Sequence, residues 1–209
     1  MADVERLAGK PVRRGPEDLR DLPEFFGAEG HRPEDYGAYD ISIIAEINHA
    51  PRLTQAQLLA QAQHYHASGA DLIDVGCDPG DAWPGVGDAV RALRDEGFRV
   101  SIDTFNPVEA ASAATAGAEL VLSVHSGNVS AARDWGCEVV VVPDVPATLE
   151  GLDGVVERLT AWGVPFRIDP ILEPIGLGFA ASLARYLEVR RRYPQAEILM
   201  GVGNLTELT

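Results

Sequence analysis

The chain has 209 residues, 46% of them hydrophobic, and a net charge of −15, so it is long and apolar enough to bury a sizeable core. The acidic balance argues against nucleic acid or an anionic membrane as partner, because Coulomb repulsion opposes both. No stretch approaches the ~20 apolar residues of a membrane span, and the first residues lack the apolar centre of a signal peptide. Cys77 and Cys137 are too few for a disulfide framework, so a reducing cytoplasm is expected.

Residues 1–38 are rich in charge, Pro and Gly without a sustained period, and read as a lead-in segment or the remnant of a preceding region. Residues 39–209 are patterned throughout. Short apolar strands are predicted at 41–47, 71–75, 98–102, 119–124, 137–142, 164–168 and 196–200. Helical patterns lie between them at 54–67, 86–96, 107–116, 129–135, 148–162 and 179–193. Thr54 is a candidate cap for the first helix, Asn106 before Pro107 for the third, and Thr148 for the fifth. Gly69, Gly97, Gly117, Gly136 and Gly163 punctuate the passage from helix to strand, as left-handed C-caps do.

Strict β-α alternation implies parallel strands joined by right-handed crossovers. No Gly-x-Gly-x-x-Gly follows the first strand, which argues against a dinucleotide-type open sheet. Polar residues follow almost every strand instead, as at the C-terminal rim of a barrel. The expected fold is α/β, a TIM-type (β/α)8 barrel of which seven strands and six helices are readable. On this reading the chain is truncated after strand seven.

The strand ends carry Glu46 and Asn48, then Asp74, Cys77 and Asp78, then Asp103 and Thr104. Ser123, His125 and Asn128 come next, followed by Asp144, Asp169, Glu173, Asn204 and Glu207. Carboxylates and amides with almost no cations suit a ligand rich in N–H donors. A pterin ring offers such an edge, since a carboxylate can accept two parallel hydrogen bonds from its 2-amino group and ring N–H. The bland alternative is that each strand-end Asp caps the helix that follows it.

The segments ADLIDVG (70–76) and VSIDT (100–104) resemble the strand-two and strand-three motifs of dihydropteroate synthases. AASAATAGAELVLSV (110–124), IAEIN (44–48) and RIDPILEPIGLGF (167–179) are similar to further segments of that family, in the same order. AEINHAPRLT, SIDTFNPVEA and MGVGNLTELT also resemble a divergent archaeal and methylotroph type associated with tetrahydromethanopterin biosynthesis. The resemblance implies a transferase of reduced-pterin biosynthesis. Asp103 and Asp169 would be its pterin carboxylates, and Asn48 would stand near the leaving pyrophosphate and its Mg²⁺. Asp74, Ser123, Asn128, Asn204 and Glu207 would complete the substrate-binding set. A homodimer is carried as one candidate assembly, since the sequence does not set the oligomeric state.

The sequence departs from true synthases in two respects: their strand-four Asn has no clean counterpart, since Leu122 or Ser123 falls there and Asn128 would substitute from the loop, and the end of strand seven differs. Their lysine and Ser-Arg-Lys motif are missing, and the only lysine here is Lys10. Gly203-Asn204 resembles the methyl-pterin:corrinoid methyltransferases, which makes methyl transfer the second reading. A non-catalytic pterin-binding or interaction module is the third. His49, His125, Cys77 and Asp103 are weighed as a transition-metal set, although no spacing requires one. Asp74 and Asp78 beside Cys77 are expected to raise its pKa and blunt it as a nucleophile.

Overall fold

The structure, a computed structural model, describes residues 41–206; the lead-in at 1–38, its boundary at residue 39, and Glu207 lie outside the described residues. Seven strands follow in chain order: β1 (Ile44–Ile47), β2 (Leu72–Gly76), β3 (Val100–Asp103), β4 (Leu120–Val124), β5 (Glu138–Val141), β6 (Phe166–Ile168) and β7 (Glu197–Ile198). Six α-helices alternate with them: α1 (Gln55–Ala67), α2 (Val86–Asp95), α3 (Pro107–Thr115), α4 (Val129–Ala132), α5 (Leu152–Trp162) and α6 (Phe179–Arg192). Short 3-10 turns follow β1 and β7.

Strand order in the sheet equals strand order in the chain, and every neighbouring pair is parallel. A doubly wound sheet reverses its order at a switch point. Here there is no reversal, and consecutive helices from α1 to α5 pack on one another as a single layer. The sheet curls as an incomplete barrel, as the alternation predicted.

The helices lie where their apolar period places them. In α2 the buried stripe is Val86, Ala89, Val90 and Leu93; in α5 it is Leu152, Val155, Val156 and Leu159. Both are i, i+3, i+4, i+7 sets, the stripe that one helix face presents to a sheet. Each fully buried Leu or Val in them contributes roughly 1.5–3 kcal/mol. Thr54 caps α1 in a reciprocal capping box with Gln57, and the Asn106 side chain accepts from the Val108 N–H at 2.9 Å. All five predicted C-cap glycines have positive φ.

Most strands are trimmed by one to three residues, β1 starting at Ile44 rather than at 41, and three further elements differ from the sequence reading. α4 keeps only four residues and β7 only two. α5 starts at Leu152 rather than at 148, with Gly151 as its N-cap at φ 78°. Thr148 closes a turn instead, donating to the Val145 carbonyl at 3.0 Å and accepting from the Glu150 N–H at 3.1 Å.

Candidate functional site

Alternation along a strand sends Ile73, Val75 and Ile102 to the helix side and Asp74, Gly76 and Asp103 to the barrel interior. The parallel register then stacks the polar residues in layers. Glu46 pairs with Asp74 and Asp74 with Ser101; one layer higher, Gly76 pairs with Asp103. Gly76 has no side chain to fill its place, and a Cβ there would collide with the Glu46 carboxylate. Oxygens of Glu46, Asp74 and Asp103 consequently lie within 4.8 Å of one another.

Two carboxylates in this stack, Asp74 and Asp103, are each tethered by a hydroxyl from the next strand. Ser101 Oγ donates to Asp74 Oδ1 at 2.6 Å, and Ser123 Oγ donates to Asp103 Oδ1 at 2.6 Å. Burial, then the charge on Asp103, pushes the Asp74 carboxyl well above the usual range despite the Ser101 bond. Burial also raises Asp103, with the Ser123 hydroxyl pulling the other way. Ser123 sits at φ 72° where the β4–β5 register shifts, a conformation that a non-glycine residue adopts only under constraint.

Asp169 follows β6 directly and is 8% exposed. Its Oδ1 accepts from the Tyr186 hydroxyl at 2.7 Å and from the Ile171 N–H at 2.7 Å. Burial pushes this carboxyl up to about 6, against both hydrogen bonds, with a smaller contribution from the charge on Asp103. Asp103 and Asp169 thus face the same interior from β3 and β6.

The remaining predicted residues divide into rim and scaffold. Asn48 is exposed in the turn after β1. Beside it His49 Nδ1 lies 2.6 Å from Asp78 Oδ1, and Arg52 grips both oxygens of Asp78 at 2.8 and 3.0 Å. Hydrogen bonds from Arg52 and then His49 hold Asp78 below the usual carboxylate range. The Asn128 amide is committed to the backbone of its own loop and of the loop after β3: Oδ1 accepts from the His125 N–H, and Nδ2 donates to the Ser123 and Phe105 carbonyls. Asn204 donates to the Leu172 carbonyl at 3.1 Å, which ties the turn after β7 to the loop after β6.

Packing also fixes the surroundings of the histidines and of Cys77. His49 and His125 are occupied with Asp78 and Asp144, and the one metal-capable group among the described residues contains neither histidine nor cysteine. Cys77 is indeed raised, but by burial first and then by Glu109, with Asp103 and Asp74 behind. Glu109 was not foreseen: from α3 it accepts from the Trp83 N–H at 2.7 Å and from the Thr104 hydroxyl, bracing two loops at the mouth. Nor were the cations Arg52 and Arg185, or exposed Phe105, whose ring meets His125 edge-on at 5.5 Å. The sequence places none of these, because each depends on how separate loops meet.

A sequence profile described as pterin binding enzyme matches residues 48–158, more than half of the chain. The chain belongs to the pterin-binding enzyme family. An uncharacterized protein of Methanocaldococcus jannaschii is 33% identical over 190 residues, covering 81% of this chain and 36% of the relative. The chain thus spans about a third of the length of that curated relative. Among solved structures, Yersinia pestis dihydropteroate synthase in a sulfonamide complex superposes with a TM-score of 0.60 at 21% identity, covering 80% of this chain and 78% of that one. Xanthomonas albilineans dihydropteroate synthase in complex with 7,8-dihydropteroate gives 0.58 at 22% identity, covering 77% and 71%. This member of the family shares their barrel fold.

Proposed function

We propose that this pterin-binding enzyme holds a reduced pterin between Asp103 and Asp169 and belongs to a dihydropteroate-synthase-like transferase of reduced-pterin biosynthesis. The observation that carries the reading is the pairing of these two interior carboxylates. Each has Oδ1 tied by a side-chain hydroxyl, and no hydrogen bond among the described residues reaches Oδ2 of either. An acceptor so placed matches the N–H edge of a pterin, and a buried acceptor left unpaired discriminates against ligands that lack the donor. Phe105 and His125 add an aromatic margin beside that interior.

In the proposed reaction an aryl nucleophile attacks the exocyclic methylene of a 6-hydroxymethyl-dihydropterin pyrophosphate, and the C–O bond to pyrophosphate breaks. Asp103 and Asp169 would stabilise positive charge spreading into the ring and keep the ring oriented. Mg²⁺ fits the donor chemistry of the rim, because Asn48 offers one hard oxygen and Mg²⁺ takes its other ligands from phosphate and water. When bound it would neutralise the leaving pyrophosphate. Arg52 is the cation next to that rim.

Calorimetric titration with a reduced 6-hydroxymethyl pterin tests the site. Asp103→Asn and Asp169→Asn are each expected to weaken binding by about 1–3 kcal/mol, the contribution of a charge-assisted hydrogen bond. Unchanged affinity in both variants would remove the pterin from this interior. A cobalamin methyl-acceptor assay with methyl-pterin as donor separates the transferase reading from methyl transfer to a corrinoid.

A further inference from the structure

We propose that Arg185 and Tyr186, on the buried face of α6, are positioning residues that set the Asp169 carboxylate and leave Oδ2 as its acceptor for a ligand. For the ligand being a pterin, the inference rests on the function proposed above. The starting observation is a broken pattern. α2 and α5 turn apolar i, i+3, i+4, i+7 stripes to the sheet, but the equivalent buried stripe of α6 is Ser182, Arg185, Tyr186 and Val189. The apolar Leu183 and Leu187 of α6 are left exposed. A helix that buries an arginine and a tyrosine while exposing two leucines gives up hydrophobic stabilisation, and such violations concentrate at functional sites.

The buried pair acts on one short segment. Tyr186 donates to Asp169 Oδ1 at 2.7 Å. Arg185 spans the residues that follow, donating to the Pro170 carbonyl at 3.3 Å, the Ile171 carbonyl at 3.0 Å and Glu173 Oε2 at 2.7 Å. It also reaches the Ala147 carbonyl of the loop after β5 at 3.2 Å. Between these anchors Ile171 is held at φ 63°, a left-handed conformation that a β-branched residue rarely takes. That conformation accompanies the placing of the Ile171 N–H on Asp169 Oδ1. Two donors therefore saturate Oδ1 and orient the carboxylate.

The charged surroundings of Asp169 are few. Asp103 faces it from β3, Arg185 and Tyr186 from α6, and Glu173 stands in its own loop paired to Arg185. On the flanking strands, Glu138 of β5 and Glu197 of β7 pair with Arg167. Asp144, in the loop after β5, is taken up by Ser126. Loss of the Tyr186 hydroxyl should thus read out directly in the Asp169 titration.

The experiment follows the Asp169 carboxyl by carbon NMR in the ligand-free protein, wild type against Tyr186→Phe, with pterin titrations from pH 5 to 9. The expected result is a titration midpoint raised by about one pH unit in Tyr186→Phe. Pterin affinity should then fall about tenfold at pH 7, of which about twofold, the larger protonated fraction, is recovered by pH 9. In an Asp169→Asn background Tyr186→Phe should add less than about twofold, because the partner is gone. An unchanged midpoint overturns the proposal. A shifted midpoint in a protein that binds no pterin would strike the pterin reading and leave the positioning of Asp169 standing. Should Tyr186→Phe fail to fold, Arg185→Lys carries the test, since a lysine cannot span the same carbonyls. It is expected to lower affinity several-fold without moving the midpoint, and undiminished affinity would overturn the proposal.

Discussion

A carboxyl that burial pushes up to about 6 keeps its proton in the folded chain where the unfolded chain has already released it, and Asp169 is such a group. Between the ordinary value of 3.8 and about 6 the folded state binds more protons, so stability falls as pH rises through that window. Above it the ionised side chain destabilises the fold by a constant amount, on the order of 3 kcal/mol. Asp169→Asn retains an acceptor for Tyr186 and Ile171 without the charge. It is therefore expected to raise the thermal unfolding midpoint at pH 7–8 and to have little effect at pH 4. Equal loss of stability at both pH values would contradict this. The same sign applies to Asp74 and Asp103, both raised chiefly by burial. These three positions were legible as strand-end aspartates. Their partners Ser101, Ser123 and Tyr186 were not legible as partners, because each bond joins residues distant in sequence.

At the scale of elements, the passage from strand to helix carries the strain. The three non-glycine residues with positive φ among those described, His49, Ser123 and Ile171, follow β1, lie at the bulge of β4 and follow β6. All three stand at the rim where the polar residues gather, as expected when surrounding contacts over-determine a functional loop. Gly151 meets the same demand at the start of α5. Its φ is 78°, and a Cβ there would overlap the Asp144 carboxylate, which is itself bonded to Ser126. Gly151→Ala is therefore expected to destabilise the protein by about 1–3 kcal/mol, measured by urea unfolding. A neutral result would mean that the loop shifts at no cost. The periodic helices α2 and α5 were readable from their apolar spacing. The late start of α5 was not, since Thr148 is as good a turn former as a cap and here it closes the turn.

For the molecule as a whole, a net charge of −15 and an interior holding Glu46, Asp74 and Asp103 make the mouth hostile to anions. Arg52 is partly neutralised by Asp78, and no lysine occurs beyond Lys10. A pyrophosphorylated pterin is therefore expected to bind measurably tighter when Mg²⁺ is added, while the uncharged 6-hydroxymethyl pterin shows no such dependence. Calorimetry with and without chelator reads the difference. Equal affinity for the pyrophosphate ester under both conditions would show that Arg52 and His49 suffice for the anion.

What the sequence alone determined is what contiguous residues can encode. Alternation of β-rich and helical runs, glycine C-caps and polar strand ends specified a parallel (β/α) barrel with polar residues gathered on one rim, because period and capping are local properties. Tertiary structure decided the rest. Which carboxylate oxygen is tied depends on α6 for Asp169, and on a neighbouring strand for Asp74 and Asp103. So does the gathering of Glu46, Asp74 and Asp103, which the register brings together from three strands. The polar stripe of α6 could be read as an irregular helix; only its docking against the loop after β6 shows that Arg185 and Tyr186 hold Asp169 in place. Hydrogen bonds across such distances in the chain exist only once the sheet has curled and the helix has packed, so no window of sequence contains them.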